Sequence, residues 1–435
     1  MMRAGFASVD ITPEVGSPLS GFIARLDVSK GVDLPLQARA LVLESGGTQA
    51  ALVGLDLLGV APELADRAVA AVSEALGIPE DHVVVFSSHT HSGPVTVKMR
   101  GSPDKVDDSY LETLIGRIVG AATEAQKKLR PATPAWGEAP VTMGVNRRER
   151  LPDGSVKLGA NPDGPTDTSV RVLRLDGPGR RTVLFEHACH PYCLGGDCNL
   201  ISPDFFGHAA AALAEQDVDS IYLNGCAGDI AATRGFQGPQ AAREEGRRLA
   251  DAVMAASDGA QPEDDPRLGM LSTRIGIPHG DLTPLSDVKQ QIDARDRTVR
   301  DEERTDPRVR DRLRAAWRDW MADVEAALGD RKELEPIPAR ISVMRLGRGA
   351  MVFLPGEVFY EIGQRIASLL DVEHVIVGAY SHGYVGYIPT RESYAEGGYE
   401  VNEAHRYIGL WQKTPVADSI LESEVMRLWW QLEEE

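Results

Sequence analysis

The chain has 435 residues, of which 43% are hydrophobic and 26% charged, a balance typical of a globular protein with a substantial core. Acidic residues outnumber basic ones by 65 to 46, for a net charge of -19. This excess argues against nucleic acid and stable membrane association, because phosphate groups attract the opposite charge. The sequence has no apolar run of about 18 residues and no secretory signal at its start. It therefore predicts a cytoplasmic protein.

Three stretches of the chain share one pattern of strand, turn, strand, helix and strand. The first has strands at 38–43, 51–56 and 83–86, with a helix at about 62–76. The second has strands at 170–175, 182–187 and 220–223, with a helix that begins near Pro203. The third has strands at 341–346, 351–354 and 375–377, with a helix at about 358–370. The pattern predicts a structural recurrence, and a chance alignment of common elements is its alternative.

Short, β-branched and nearly continuous apolar strands are typical of buried sheets, and interspersed helices predict helical layers on them. We therefore expect an α/β fold with mixed β-sheets flanked by helices; two packed sheets are one arrangement compatible with it. Residues 1–435 are predicted to form a single catalytic domain. A charged stretch at about 281–335 contains apolar residues at steps of three or four, including Trp317 and Trp320. It predicts a helical insertion whose tryptophans face inward.

The four cysteines are Cys189, Cys193, Cys198 and Cys226, and the first three lie within ten residues of one another. A cytoplasmic chain of this size does not usually carry a disulfide framework. Their spacing also differs from the C-x2-C pattern of structural zinc sites. We expect buried or pocket-lining thiols, with a second metal or a redox pair as the alternatives.

Chemically active side chains follow the predicted second or third strands: Asp56, His89, His91, His190, Asp229, Glu357 and Tyr387. Strand ends in layered α/β proteins converge on one rim, where ligand sites form. His89 and His91 are two residues apart, so in an extended segment they point to one side. Two imidazoles and a carboxylate with an open position are the usual composition of a catalytic zinc site. Unrelated structural roles for His190, Glu357 and the histidine pair stay open at this point.

A series of motifs in fixed order adds to this pattern. It consists of 5–13 (GFASVDITP), 88–94 (SHTHSGP), His190-Pro191, 225–229, Pro355-Gly356-Glu357, 387–394 (YIPTRESY) and Tyr399-Glu400. The series resembles the catalytic domain of the neutral (non-lysosomal) ceramidase family over nearly the whole chain.

The resemblance implies a zinc ion held by four side chains: His89, His190, Glu357 and Tyr387. Around the reacting carbonyl it implies three further residues: His91, Arg147 and Tyr399. Arg148 and Arg150 lie beside Arg147, and a solvated surface arginine is the alternative for this position. Asp10, Asp56 and Asp229 are candidates to orient the imidazoles, and turn or helix capping is the alternative for each.

Two departures from the family bear on mechanism and substrate. Ala231 follows Gly228-Asp229-Ile230 where family ceramidases carry a serine, which disfavours a serine nucleophile there. The secretory signal and the C-terminal β-sandwich of secreted ceramidases are not seen. We therefore expect a zinc-dependent amidohydrolase that uses metal-activated water on a small soluble amide. A zinc-dependent esterase, lactonase or phosphoesterase is the alternative enzyme, and a non-catalytic metal-binding protein is the alternative of another class.

Overall fold

The computed structural model describes residues 2–102, 104–280, 306–329 and 334–434, with positions 287, 289, 290 and 293 between them. Within these residues lie three large mixed β-sheets, three smaller ones and helices that cover the sheets. The predicted α/β fold class is confirmed. Three large sheets replace the two packed sheets that the sequence allowed.

Each large sheet contains one copy of the predicted recurrence: an antiparallel hairpin, a crossover helix and a parallel strand. The first unit comprises Gln37–Ser45, Thr48–Leu55, helix Pro62–Leu76 and Val83–Ser87. The second comprises Ser169–Asp176, Arg181–His187, helix Asp204–Ala214 and Val218–Asn224. The third comprises Ile337–Leu346, Gly349–Phe353, helix Tyr360–Leu369 and His374–Gly378.

Additional strands extend these sheets. The first gains Arg3–Asp10 and Arg130–Pro131, the second Thr133–Pro140 and Gln261–Pro262, and the third Leu268–Ile277. The smaller sheets consist of Gly31–Val32 with Leu200–Ile201, of Gly144–Arg150 with Val156–Asn161 and Ile230–Ala232, and of Glu357–Val358 with Tyr387–Ile388. The other described helices are Asp108–Lys127, Pro239–Asp258, Pro307–Gly329, Ser393–Glu396, Tyr399–Asn402, Ala404–Tyr407 and Ala417–Glu434.

The inner faces of the three sheets meet in one apolar cluster. Leu41 and Leu52 come from the first sheet, Leu184 from the second, and Met351 and Phe353 from the third. The opposite faces of the strands pack on the helices, so both faces are buried. Because side chains alternate between two buried faces, the strands are apolar almost throughout. This packing brings the carboxyl ends of strands from three sheets to one region.

The predicted helical insertion corresponds to helix Pro307–Gly329, and positions 294–305 lie outside the described residues. Trp317 and Trp320 are buried, as predicted, whereas Leu328 is exposed, so the apolar stripe ends before it. All four cysteines are free thiols and three of them are buried. Within the described part of the chain, no helix is long and apolar enough to cross a bilayer.

Candidate metal centre

Three loops, one from each unit, meet where their strands end. His89 follows strand Val83–Ser87, His190 follows Arg181–His187, and Glu357 follows Gly349–Phe353. Isolated bridges pair Phe86 with Ser381 and Gly225 with Gly378, and so join strand ends from the three sheets near these loops. The three side chains are almost completely buried. The fold therefore gathers donors that lie far apart in sequence into one protected cluster.

The donor atoms of this cluster converge on a small volume. Glu357 Oε2 lies 3.2 Å from His89 Nε2 and 3.1 Å from His190 Nε2. One ligand nitrogen from each of His89, His91 and His190 lies within 4.8 Å of the other two, so the three histidines can hold a metal ion. His89 also has a φ of 69°, a region that non-glycine residues rarely occupy and that is often found at functional sites.

Main-chain carbonyls fix the orientation and tautomer of two imidazoles. His89 Nδ1 lies 2.8 Å from the oxygen of Leu58, and His190 Nδ1 lies 2.6 Å from that of Ala227. Because a carbonyl only accepts hydrogen bonds, each Nδ1 carries the hydrogen, and the neutral form of each ring would present a lone pair at Nε2. Both lone pairs face Glu357 Oε2, another electron-rich atom. A cation between them would turn this repulsion into attraction.

The protonation states agree with a cation site. Burial, with the nearby Arg147, lowers the pKa of His190 to about 3, so the ring is neutral at pH 7. A neutral imidazole can offer its lone pair to a cation.

The geometry of the donors also fits zinc. Tetrahedral zinc with bonds of about 2.0–2.1 Å has donors roughly 3.3 Å apart, close to the separations of Glu357 Oε2 from the two nitrogens. His89 Nε2 is buried and makes no hydrogen bond within the described residues. Nitrogen and carboxylate oxygen are both common zinc ligands. The residues present therefore fit such an ion.

Arg147 connects the cluster to the predicted tyrosines. Its Nη2 donates a 2.9 Å hydrogen bond to the Tyr387 hydroxyl, and its Nη1 lies 3.1 Å from His190 Nε2. Its Nε donates to Glu400 at 2.8 Å. The Tyr399 ring lies 6.0 Å from the Tyr387 ring. The structure thus brings all seven predicted site residues together.

The neighbouring arginines have other surroundings. Arg148 donates to Glu400 and Glu396, and Arg150 is exposed and pairs with Glu396. Arg147 is the arginine of this segment that contacts His190 and Tyr387.

His91 lies at the edge of the cluster without a fixed partner. Its ring centroid is 4.9 Å from that of His89 and 5.7 Å from that of His190. Neither of its nitrogens makes a hydrogen bond within the described residues. Burial and the two adjacent imidazoles lower its pKa well below the usual range. Gly21 makes the close approach possible: its φ is +98°, and a Cβ there would lie 2.6 Å from His91 Cβ.

The proposed role of the three aspartates was wrong. Asp10 caps a turn through the amide of Thr12, and Asp56 binds Arg39. Asp229 accepts from Asn146 and from the amide of Tyr360. The rings of His89 and His190 are oriented by carbonyls instead, a contact that side-chain patterns in a sequence do not reveal.

Three contacts of the site were not predicted from the sequence. The Tyr384 hydroxyl donates to Glu357 Oε1, and buried Glu400 accepts from Arg147. Tyr192 places its ring 5.6 Å from the ring of His91. Glu400 follows Tyr399 and Tyr384 precedes Tyr387 by three positions, so their proximity to motif residues was the available signal.

A small cleft of about 50 Å³ lies beside the cluster. Its lining includes a polar group of residues, His89, His91, Glu357, Tyr384, Tyr387 and Tyr399, and an apolar group, Leu58, Val97, Met99, Ala404 and Ile408. Tyr407, also in the lining, accepts a 3.2 Å hydrogen bond from Trp317 Nε1 on helix Pro307–Gly329. The insertion therefore supports the wall of the cleft.

Comparison with known proteins places this arrangement in a family. Residues 2–236 match the neutral/alkaline non-lysosomal ceramidase family in its N-terminal part, which is more than half of the chain. The chain belongs to the neutral/alkaline non-lysosomal ceramidase family. Membership in this ceramidase family supports a hydrolase that acts on amide bonds.

Solved ceramidase structures share the fold. The structure of a ceramidase complexed with C2 has a TM-score of 0.74 at 18% identity, covering 100% of this chain and 75% of the other. Neutral ceramidase from Pseudomonas aeruginosa has a TM-score of 0.73 at 19% identity, covering 100% and 74%. At these identities the likeness establishes a ceramidase fold, and the roles of single residues rest on the site geometry.

Proposed function

We propose that the chain is a zinc-dependent hydrolase of linear amides, with His89, His190, Glu357 and Tyr387 as zinc ligands. The observation that carries this proposal is the convergence of Glu357 Oε2 with two imidazole Nε2 atoms at 3.1–3.2 Å. The adjoining cleft supports a site with an open position, which a closed structural zinc site lacks. Family membership supports the amide as the bond that is cleaved.

Tyr387 is the proposed fourth donor because Arg147 Nη2 donates to its hydroxyl oxygen. A guanidinium at this distance stabilises negative charge on the phenol oxygen. A bound zinc ion would lower the pKa of water to about 7 and polarise a carbonyl. The protein's own task is to orient the amide and to move protons.

His91 is the proposed proton carrier. It lies beside the ligands, is neutral because of its lowered pKa, and has two nitrogens that make no hydrogen bonds within the described residues. It can accept a proton from the attacking water and deliver it to the departing amine. No serine hydroxyl is available at position 231, which is an alanine in strand Ile230–Ala232. This residue supports attack by water.

Arg147 and Tyr399 are proposed to stabilise the charge that develops on the carbonyl oxygen. Burial raises the pKa of Tyr399 above its ordinary value, so its hydroxyl keeps its proton at neutral pH. The surrounding acidic and phenolic groups outweigh burial and raise the pKa of Arg147, which stays charged. Removing one donor aimed at such charge costs roughly 3 kcal/mol of transition-state stabilisation.

The cleft supports a substrate with an apolar acyl group. Leu58, Val97 and Met99 offer apolar surface next to the polar cluster. The net charge of -19 disfavours anionic lipid surfaces. We therefore propose an N-acyl amide that is presented in solution.

The test combines metal analysis with a substrate panel. We expect purified protein to contain zinc and to hydrolyse N-acyl amides faster than matched esters or phosphoesters. His91→Ala should retain zinc and lose about 10²–10⁴-fold in kcat/KM, whereas His82→Ala, in the turn before strand Val83–Ser87, should change neither. Protein without bound zinc would refute the proposal. Faster cleavage of esters than of amides would mean that the enzyme is an esterase. Unchanged activity of His91→Ala would show that His91 is not the proton carrier.

A further inference from the structure

Two tyrosines from one loop flank the His89 ring in different ways. The Tyr380 ring stacks on it at 4.4 Å, and the Tyr384 ring lies 6.1 Å away at an interplanar angle of 18°. The Tyr380 hydroxyl is buried and makes no hydrogen bond within the described residues. The Tyr384 hydroxyl donates to Glu357 Oε1. The pair therefore share a packing role but differ in one hydrogen bond.

The position of Tyr384 is fixed from two sides. Its backbone amide donates to the Val60 oxygen at 2.7 Å. Its ring also lies so close to Gly59 that a Cβ on that glycine would be 2.9 Å from Tyr384 Cβ. Gly59 thus leaves room for the ring, and the hydroxyl reaches Glu357 from a rigid support.

The two oxygens of Glu357 consequently have separate partners. Oε2 faces the nitrogens of His89 and His190, while Oε1 accepts from Tyr384. A carboxylate beside a cation can bind through one oxygen or both, and a hydrogen bond to one oxygen favours binding through the other. A tyrosine hydroxyl donates to an ionised carboxylate, which only accepts.

We infer that Tyr384 is a positioning residue, whose hydroxyl occupies Glu357 Oε1 and holds the carboxylate so that Oε2 alone is directed at the metal site. The inference rests on the proposed zinc site and deepens it. It also separates Tyr384 from Tyr387, whose hydroxyl oxygen accepts from Arg147 and stays available as a donor to a metal ion.

The test compares Tyr384→Phe with Tyr380→Phe, two variants that keep the ring and remove only a hydroxyl. Zinc affinity is measured on metal-stripped protein by competition with a chromophoric chelator. Loss of a hydrogen bond that orients a ligand costs roughly 10–100-fold in metal affinity. We expect this loss for Tyr384→Phe and an affinity within about threefold of the parent for Tyr380→Phe. Equal affinities of the two variants would overturn the inference.

A spectroscopic readout separates positioning from a general loss of structure. Cobalt(II) replaces zinc in such sites, and its visible absorption weakens when the coordination number rises. Tyr384→Phe frees Oε1 to bind, so its cobalt spectrum should weaken per bound ion, whereas that of Tyr380→Phe should match the parent. A parent-like spectrum for Tyr384→Phe would overturn the inference. Melting curves of the metal-free proteins verify that each variant is folded.

A double-mutant cycle tests whether the hydroxyl acts through Glu357. Tyr384→Phe should change zinc affinity in the parent and have less effect when combined with Glu357→Gln. Equal effects in both backgrounds would overturn the inference, even if Tyr384→Phe altered folding. A parent protein that binds no zinc would instead refute the proposed function. A zinc-binding parent with no effect at Tyr384 would leave that function standing.

Discussion

Two buried clusters, each with a histidine from the loop after strand Arg181–His187 or from its last residue, contain similar side chains but pair their charges differently. The metal-site cluster comprises His89, His190 and Glu357. The Asp167 cluster comprises Asp167, Arg171, Glu186 and His187. His187 and His190 are three residues apart in the sequence and both are buried, so position and burial do not distinguish them.

The Asp167 cluster supplies its own counter-charge. Arg171 donates to Glu186 at 2.8 Å and to Asp167 at 3.2 Å. His187 Nδ1 lies 3.2 Å from Asp167 Oδ2, which also accepts from the amide of Ala188. Both carboxylates therefore contact an arginine, and this cluster needs no ion.

The metal-site cluster contrasts with it because Glu357 faces two imidazole nitrogens whose rings are fixed with the hydrogen on the far side. Arg147 contacts His190 and Tyr387, whereas the Glu357 carboxylate contacts His89, His190 and Tyr384. Within the described residues no arginine hydrogen-bonds to Glu357, and Arg147 interacts with it only at longer range. A buried carboxylate without a direct ion pair is costly, and a bound cation would reduce that cost. The comparison shows that the pairing of charge distinguishes a candidate ion site from a structural one.

The largest effect is expected for the carboxylate of the metal-site cluster. Glu357→Gln should lower kcat/KM by about 10³-fold or more, because a metal ion contributes several kcal/mol to charge stabilisation. Glu186→Gln changes a carboxylate that is equally buried and should leave the zinc content per folded molecule unchanged. Zinc analysis and kinetics check both variants. Comparable zinc loss in both would contradict the distinction between the clusters.

The next effect concerns stability. Arg171→Met leaves Asp167 and Glu186 buried without their arginine, and should lower the free energy of unfolding by about 3–5 kcal/mol. Arg180→Met, which removes a partly exposed arginine paired with Asp219, should cost less than about 0.5 kcal/mol. Urea unfolding followed by circular dichroism measures both. A small effect at Arg171 would show that the cluster contributes little to stability.

A smaller effect on activity is expected at Gly21, whose lack of a side chain leaves room for His91. Gly21→Ala places a Cβ 2.6 Å from His91 Cβ and should lower kcat/KM by about 100-fold, the cost of a misplaced catalytic group. Gly16→Ala is the matched control, since Gly16 has a φ of +104° but no atom near its added Cβ. Zinc content should persist in both. If Gly21→Ala and Gly16→Ala lost the same activity, the loss would come from backbone strain and not from displacement of His91.

The smallest effect concerns pH. Burial raises the pKa of Glu186 to about 7, whereas the unfolded carboxyl titrates near 4.5. Between these values the folded state holds a proton that the unfolded state releases, so stability falls as pH rises, on the order of 1 kcal/mol per pH unit. Glu186→Gln should flatten this dependence between about pH 4.5 and 7. Thermal unfolding across that range measures it, and an unchanged slope would contradict the raised pKa.

Much of the fold was readable from the sequence because both faces of the central strands are buried. Continuous apolar runs such as 83–86 predicted the strands. The helix Pro62–Leu76 was predicted with nearly its observed ends. Pro62 begins it, and Gly77 ends it in a left-handed conformation. The number of sheets was not readable. It depends on which strands pair across the chain, and local periodicity does not encode that pairing.

The candidate site was predictable as a set of residues but not as a network. Motif order pointed to His89, His190 and Glu357, whereas orientation of the rings by Leu58 and Ala227 carbonyls depends on the path of the backbone. Asp10, Asp56 and Asp229 were candidates for that task, and the structure gives each of them other partners. The sequence also left the choice among neighbouring arginines open, because it depends on which side chain points inward.

The position of one donor after a strand of each large sheet has a consequence for assembly. Glu357 lies 167 residues after His190, and His89 belongs to another sheet again. The three donors, His89, His190 and Glu357, are therefore brought together only after all three sheets have packed around their common core. Closing such long loops costs only slightly more free energy than closing short ones, so distance along the chain is no obstacle. An ion that binds these donors selects the fully assembled protein and stabilises it by mass action. Damage to any one sheet is therefore expected to weaken ion binding at the candidate metal centre.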